Sequence, residues 1–113
     1  MNGNMPWFPM YAQDFTNSRA VRTMSPEAVG IYTLMLCHEW DGGPLPADAP
    51  GIAAILGVDD MTIHRVWPQV APCFVRCGDG LVNERLETVR DEQQRKHAER
   101  CRAGKKGASM RWK

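Results

Sequence analysis

From Arg90 to Lys113 the chain carries nine lysines and arginines against three acids, a balance of +6. Residues 1–89 hold five arginines, no lysine and ten acids, a balance of −5, so the net charge of +1 conceals a basic tail on an acidic body. A tail of this kind suits phosphate chemistry. Arg90, Arg95, Lys96, Arg100, Arg102, Lys105, Lys106, Arg111 and Lys113 could displace counterions from a nucleic acid, and Trp112 could stack on a base or wedge into a groove. The competing reading is a charged helix that only keeps the protein soluble. So few acids among so many bases favour the functional reading.

Metal binding is the second chemistry to weigh. Cys73-x-x-x-Cys77 and His97-x-x-x-Cys101 superficially offer four zinc ligands. On a helix His97 and Cys101 would share a face. On a strand, however, Cys73 and Cys77 would sit ~13 Å apart at ~3.3 Å per residue, too far to hold one ion. Cysteine is also a common small buried residue, so neither a metal nor a disulfide is expected.

Catalysis finds less support. Glu39 and Asp41 are close and His38 adjoins Glu39, but neighbouring residues on a helix point in different directions. Neither Ser18 nor Ser25 has a base that the sequence would bring to it. The Gly-Lys-Lys-Gly segment at 104–107 lacks the glycine spacing and strand-loop-helix setting of a phosphate-binding loop. The expectation is a protein with no catalytic residues and no cofactor, whose scattered polar groups are simply solvated.

The element that must organise the body is the stretch Ser25 to Trp40. Ser25 can cap a helix, Pro26 suits the first turn and Glu27 complements the positive helix end. Val29, Tyr32, Leu36 and Trp40 recur at helical spacing, and Ala28, Ile31 and Met35 form a second apolar row. Two rows make a stripe wider than a surface helix needs, so this helix should be covered on most sides. Asp41-Gly42-Gly43-Pro44 then ends it.

Around that helix the chain reads in order. Met5 to Tyr11 holds two prolines that exclude regular structure, with Trp7, Phe8 and Tyr11 expected to bury as an anchoring arm rather than stand out as an aromatic platform. Asp14 caps a short helix to about Val21. Asp48 caps another over Ala49 to Leu56, closed by Gly57, and Asp59 caps a third with Met61, Ile63, Val66, Trp67 and Val70 as its apolar set. Pro68 predicts a kink or break near Trp67. Phe74-Val75 and Leu81-Val82 flank Gly78-Asp79-Gly80 as a hairpin. Asn83 caps the last helix, with Leu86 and Val89 inward. That helix should leave the body near Arg90 and fray around Gly104. Helices followed by a two-stranded hairpin and a further helix predict a mainly α, winged helix-turn-helix-like single domain: a body over 1–89 and a basic, partly flexible segment over 90–113.

The opening MPWFPMYAQDF, the central EAVGIYTLMLCHEWDGGPLP, the WPQVAPCF segment and the hairpin GDGLVNERL together resemble the YdaU-like family of phage and prophage proteins, a domain of unknown function. The closing AGKKGASMRW is similar to the Gly- and Lys-rich segment that often follows that domain. The resemblance implies a prophage setting, a winged-helix-like body and a link to phage DNA replication. It brings no catalytic residues.

At 113 residues the chain is one small domain. Its longest apolar run, Ile31 to Cys37, is too short for a membrane span, and Met1 to Asn4 lacks the character of a signal peptide, so a cytoplasmic protein with reduced cysteines is expected. The recognition helix of the helix-turn-helix opens with Asp59-Asp60, which phosphates would repel, and offers only His64, Arg65 and Gln69. Two functions follow as expectations. One is an accessory protein of phage DNA transactions that contacts nucleic acid, DNA above all, through its basic tail. The other is a protein-interaction module that docks a host or phage replication or defence component.

Overall fold

The computed structural model describes the backbone of residues 5–111 and the side chains of residues 5–102. Its elements run α1 (Ala12–Asn17), α2 (Arg19–Thr23), α3 (Pro26–Gly42), β1 (Leu45–Pro46), α4 (Ala49–Leu56), α5 (Asp60–Val70), a 3-10 turn (Ala71–Cys73), β2 (Val75–Cys77), β3 (Gly80–Val82) and α6 (Glu84–Arg111). The chain is mainly helical with one small antiparallel sheet in the order β1-β3-β2.

Side-chain caps fix most helix starts. Ser18 accepts from Val21 N–H, Ser25 from Ala28, Asp48 from Gly51 and Asp59 from Thr62, each occupying a backbone donor that the first turn leaves free. Ser18 is the reason the expected Asp14–Val21 helix is two helices. Its extended backbone ends α1, and its hydroxyl starts α2.

α3 is the central helix, burying Ala28, Ile31, Met35, Leu36, Glu39 and Trp40. α4 and α5 pack on it and on each other, contributing Ala49, Ile52, Ala53, Ile63, Val66 and Val70 to one continuous core. α5 continues through Pro68 to Val70, so the expected break near Trp67 does not occur. Met61, assigned inward by the sequence, is 74% exposed. It sits in the first turn of α5, where the core face begins only at Ile63.

The hairpin turns at Gly78-Asp79, where φ of +61° at Gly78 gives the mirror-image backbone that matches strand twist. The structure adds a third strand to it. Leu45 pairs with Leu81 and Pro46 with Gly80, and the approach is so close that a Cβ at Gly80 would lie 2.6 Å from the Leu45 carbonyl oxygen.

The arm is only partly an anchor. Phe8 packs on Trp40 with ring centroids 5.3 Å apart, and the Met5 carbonyl accepts the Trp40 indole N–H at 2.8 Å. Trp7 and Tyr11 do not bury; they are 56% and 44% exposed. Tyr11 instead lies beneath the Arg85 guanidinium, 5.5 Å from its ring centroid.

α6 is longer than the sequence suggests. It does not fray at Gly104 but is helical to Arg111, a run of 28 residues. Nor does it leave the body at Arg90, because Arg90 is half-buried against α3 and Gln93, one turn further, is buried. None of the described helices is long and apolar enough to cross a membrane.

Candidate nucleic-acid interface

The basic candidates fall on α6, and the body determines how they are held. Asn83 caps the helix by accepting from Leu86 N–H at 2.9 Å, while its own amide donates to the Cys73 carbonyl at 2.9 Å and to the Tyr32 hydroxyl at 3.3 Å. Its main-chain N–H donates to both carboxyl oxygens of Glu39, at 2.9 and 3.0 Å. The cap therefore belongs to three elements at once. Leu86 and Val89 then enter the core.

About two turns beyond the cap, Arg90 closes the attachment. Its Nη2 and Nη1 donate to the carbonyls of Glu39 and Trp40, at 2.8 and 3.0 Å, and its Nε donates to Glu87 at 3.0 Å. These carbonyls lie in the last turns of α3, where a cation also meets the negative helix end. Arg90 is thus spent on structure.

Beyond Gln93, the side chains of Arg95, Lys96, Arg100 and Arg102 are all exposed. Lys96 and Arg100 are one turn apart on one face; Arg95 and Arg102 are two turns apart on another. Lys105, Lys106 and Arg111 continue the same helix, but their side chains lie outside the described residues, and Trp112 and Lys113 lie outside them altogether. A helix of this length spans about 42 Å at about 1.5 Å per residue, and among its described side chains Val89 is the last to join the core cluster.

The rival reader, α5, is occupied. Arg65 makes a two-pronged contact with Glu27, Nε and Nη2 lying 2.8 and 2.9 Å from its carboxylate oxygens. That hydrogen bond and charge hold Glu27 below the usual carboxylate range and raise Arg65. Gln69 accepts from the Ser25 N–H at 2.7 Å. Of the three residues that could have read bases, only His64 stands free on the surface. Asp59 and Asp60 flank it, and the cap bond from Thr62 keeps Asp59 ionised by lowering its pKa.

For a metal the geometry is meagre. His97 Nε2 lies 3.6 Å from Cys101 Sγ, but no group of three or more His, Cys, Asp or Glu is placed to hold an ion among the described residues. Cys73 ends the 3-10 turn and Cys77 ends β2, so they do not converge; burial pushes the Cys73 thiol up. A cleft of about 180 Å³ between the arm, α1, α3 and α6 is lined by Phe8, Tyr11, Phe15, Tyr32, Leu36 and Leu86 among others, and it gathers none of the basic candidates.

Sequence reasoning overlooked Glu39, which it read as solvated. The residue is wholly buried. The signal was present in its register, since Glu39 follows Met35 by four positions and Leu36 by three and so shares their face. Comparison of the chain with protein-family models, with curated proteins and with solved structures finds no match.

Proposed function

We propose that the chain is a non-catalytic accessory protein of DNA transactions, phage- or prophage-encoded and replication-associated, as its resemblance to the YdaU-like family implies. It contacts nucleic acid mainly through the outer part of α6, with the body as scaffold. The observation that carries this reading is a division of labour among cations. Arg65 and Arg90 are committed to the body, while the side chains of Arg95, Lys96, Arg100 and Arg102 are exposed on the outer part of α6. Contacts of this kind neutralise phosphates without reading bases, so binding should be nearly independent of sequence and steeply dependent on salt.

The order α3, β1, α4, α5, β2, β3 with strands arranged β1-β3-β2 fits a winged helix-turn-helix. In that arrangement α5 would be the recognition helix, and its locked Arg65 and Gln69 argue for a supporting role. Fluorescence anisotropy with a random duplex at several salt concentrations tests the proposal. Full-length protein should bind with a slope of log K against log salt steeper than about −3, at about −0.9 for each of four or more phosphate contacts. Absence of binding at low salt would sink it.

A protein-interaction role is the second reading, favoured by the exposure of Met61 (74%) and Ile55 (42%) beside Asp59 and Asp60 at the α4–α5 turn. A surface both acidic and apolar suits a basic protein segment better than a phosphate backbone.

A further inference from the structure

Where α6 is joined to α3, two carboxyl groups meet that the proposed nucleic-acid contact does not use. Glu39 is wholly buried, and both of its oxygens accept from a single donor, the Asn83 N–H. Glu87 faces Glu39 from α6, and Arg90 joins the two residues by donating to the Glu87 carboxylate and to the Glu39 main-chain carbonyl. Glu87 Oε1 accepts from Arg90 Nε at 3.0 Å, but its Oε2 is buried and meets no donor among the described residues. The remaining nitrogens of Arg90 are taken by the Glu39 and Trp40 carbonyls.

Two ionised carboxylates in this setting would repel each other with little water to screen them, and the orphaned Oε2 would bear its own desolvation cost. One proton relieves both. Arg90 lies against Glu87 and stabilises its charge, whereas Glu39 is the more deeply placed, so the proton belongs on Glu39. We propose that Glu39 is a neutral carboxylic acid in the folded protein, donating to Glu87 Oε2, and that this carboxyl–carboxylate bond pins α6 to α3 and weakens in alkali.

The surroundings agree. Burial first, then the Glu87 carboxyl, push Glu39 up to about 9, against the opposing Asn83 N–H and Arg90 charge. From its own helix Glu39 faces Tyr32, whose phenol is raised by burial and by Cys73 and, more weakly, Glu39. α4 and β1 carry no ionisable side chain, among the described residues the arm meets Trp40 through Met5 and Phe8, and the Arg65–Glu27 pair of α5 sits at the opposite end of α3. In the unfolded chain Glu39 ionises near its ordinary 4.5, so folding takes up a proton between that value and about 9. The contribution is fully present below the lower value and is lost as pH rises through the upper one. Across the window the unfolding equilibrium constant grows about tenfold per pH unit from this group alone.

Carboxyl-carbon NMR titration of the full chain tests the proposal directly, with urea denaturation at a series of pH values beside it. The Glu39 carboxyl should remain protonated at pH 7. E39Q keeps a donor facing Glu87 at every pH, so its pH slope over the window should be flatter than that of the wild type by about tenfold per pH unit. E87Q offers an amide N–H to Glu39 and should return the Glu39 titration toward the ordinary range. If the Glu39 carboxyl of the wild type titrates below about pH 5.5, or if wild type and E39Q share one slope, the proposed bond does not exist. Should E39Q fail to fold, the wild-type and E87Q titrations still decide.

Discussion

The Arg90 guanidinium covers the Trp40 indole at 4.7 Å from its ring centroid and also donates to the Trp40 carbonyl at 3.0 Å. One side chain thus grips both the ring and the backbone of the residue that ends the central core. Arg90→Ala should destabilise the protein by about 2–4 kcal/mol, because two carbonyls and a carboxylate lose a charged donor at a half-buried site. Arg90→Lys should recover less than half of that, since an ammonium cannot reproduce the planar fork. Urea denaturation of the three proteins measures both.

Trp40 itself is 4% exposed and touches the arm through Phe8 and the Met5 carbonyl. Trp40→Ala should cost about 3–5 kcal/mol and free the arm as well as opening the core. Limited proteolysis should then cut near Pro6 to Tyr11 in the variant at protease levels that leave the wild type whole. A variant that melts like the wild type would contradict this packing.

The Arg65–Glu27 pair has an acid signature. Glu27 is held below 4.5 in the fold, so its contribution is present above that value and is lost as pH falls through the lower folded one. Both side chains are well exposed, so the effect should be small and should shrink in high salt. Arg65→Ala should remove the acid-side loss without moving DNA affinity by more than about twofold, because its guanidinium is turned toward Glu27. Loss of DNA binding in this variant would make α5 the reader.

Ending the chain after Gln94 deletes eight basic residues and one acid, a change of −7, yet leaves Leu86, Val89, Arg90 and Gln93 in place. The shortened protein should keep its cooperative unfolding transition. Its affinity for a random duplex at low salt should fall at least a hundredfold, together with most of the salt slope. Retention of wild-type affinity would assign the binding to the body.

Much of the body could be read in advance because its signals are local. Ser25, Asp48, Asp59 and Asn83 each announce a helix within three residues of where it starts, and the two rows on α3 need no knowledge of their neighbours. What stayed hidden depends on distant partners. Leu45–Pro46 is too short to look like a strand and becomes one only because Gly80 lets β3 come close. Met61 has the right residue type for a core and the wrong phase on α5. Trp7 and Tyr11 are aromatic yet stay exposed, while Phe8 is the aromatic of the arm that packs on Trp40. With Glu39 the error runs the other way: a charged residue type outweighed a position whose register pointed inward. The basic residues of α6 were legible as charge, but not as a continuous helix, because glycines at 104 and 107 argue against one.

Past Gln93, α6 has no apolar stripe of its own, and an isolated segment of such composition would rarely begin a helix in water, where the first turn is the improbable step. Here that step is already taken by the cap at Asn83 and the grip of Arg90. Each further residue has only to extend an existing ladder by one bond. The helix should therefore melt from its outer end inward, like a zipper fastened at one side. Backbone amides near Leu86 should exchange with solvent only on global unfolding, and those beyond Arg95 progressively faster. A phosphate backbone laid along the outer turns would then close the zipper, gaining order from a helix already started rather than from a coil.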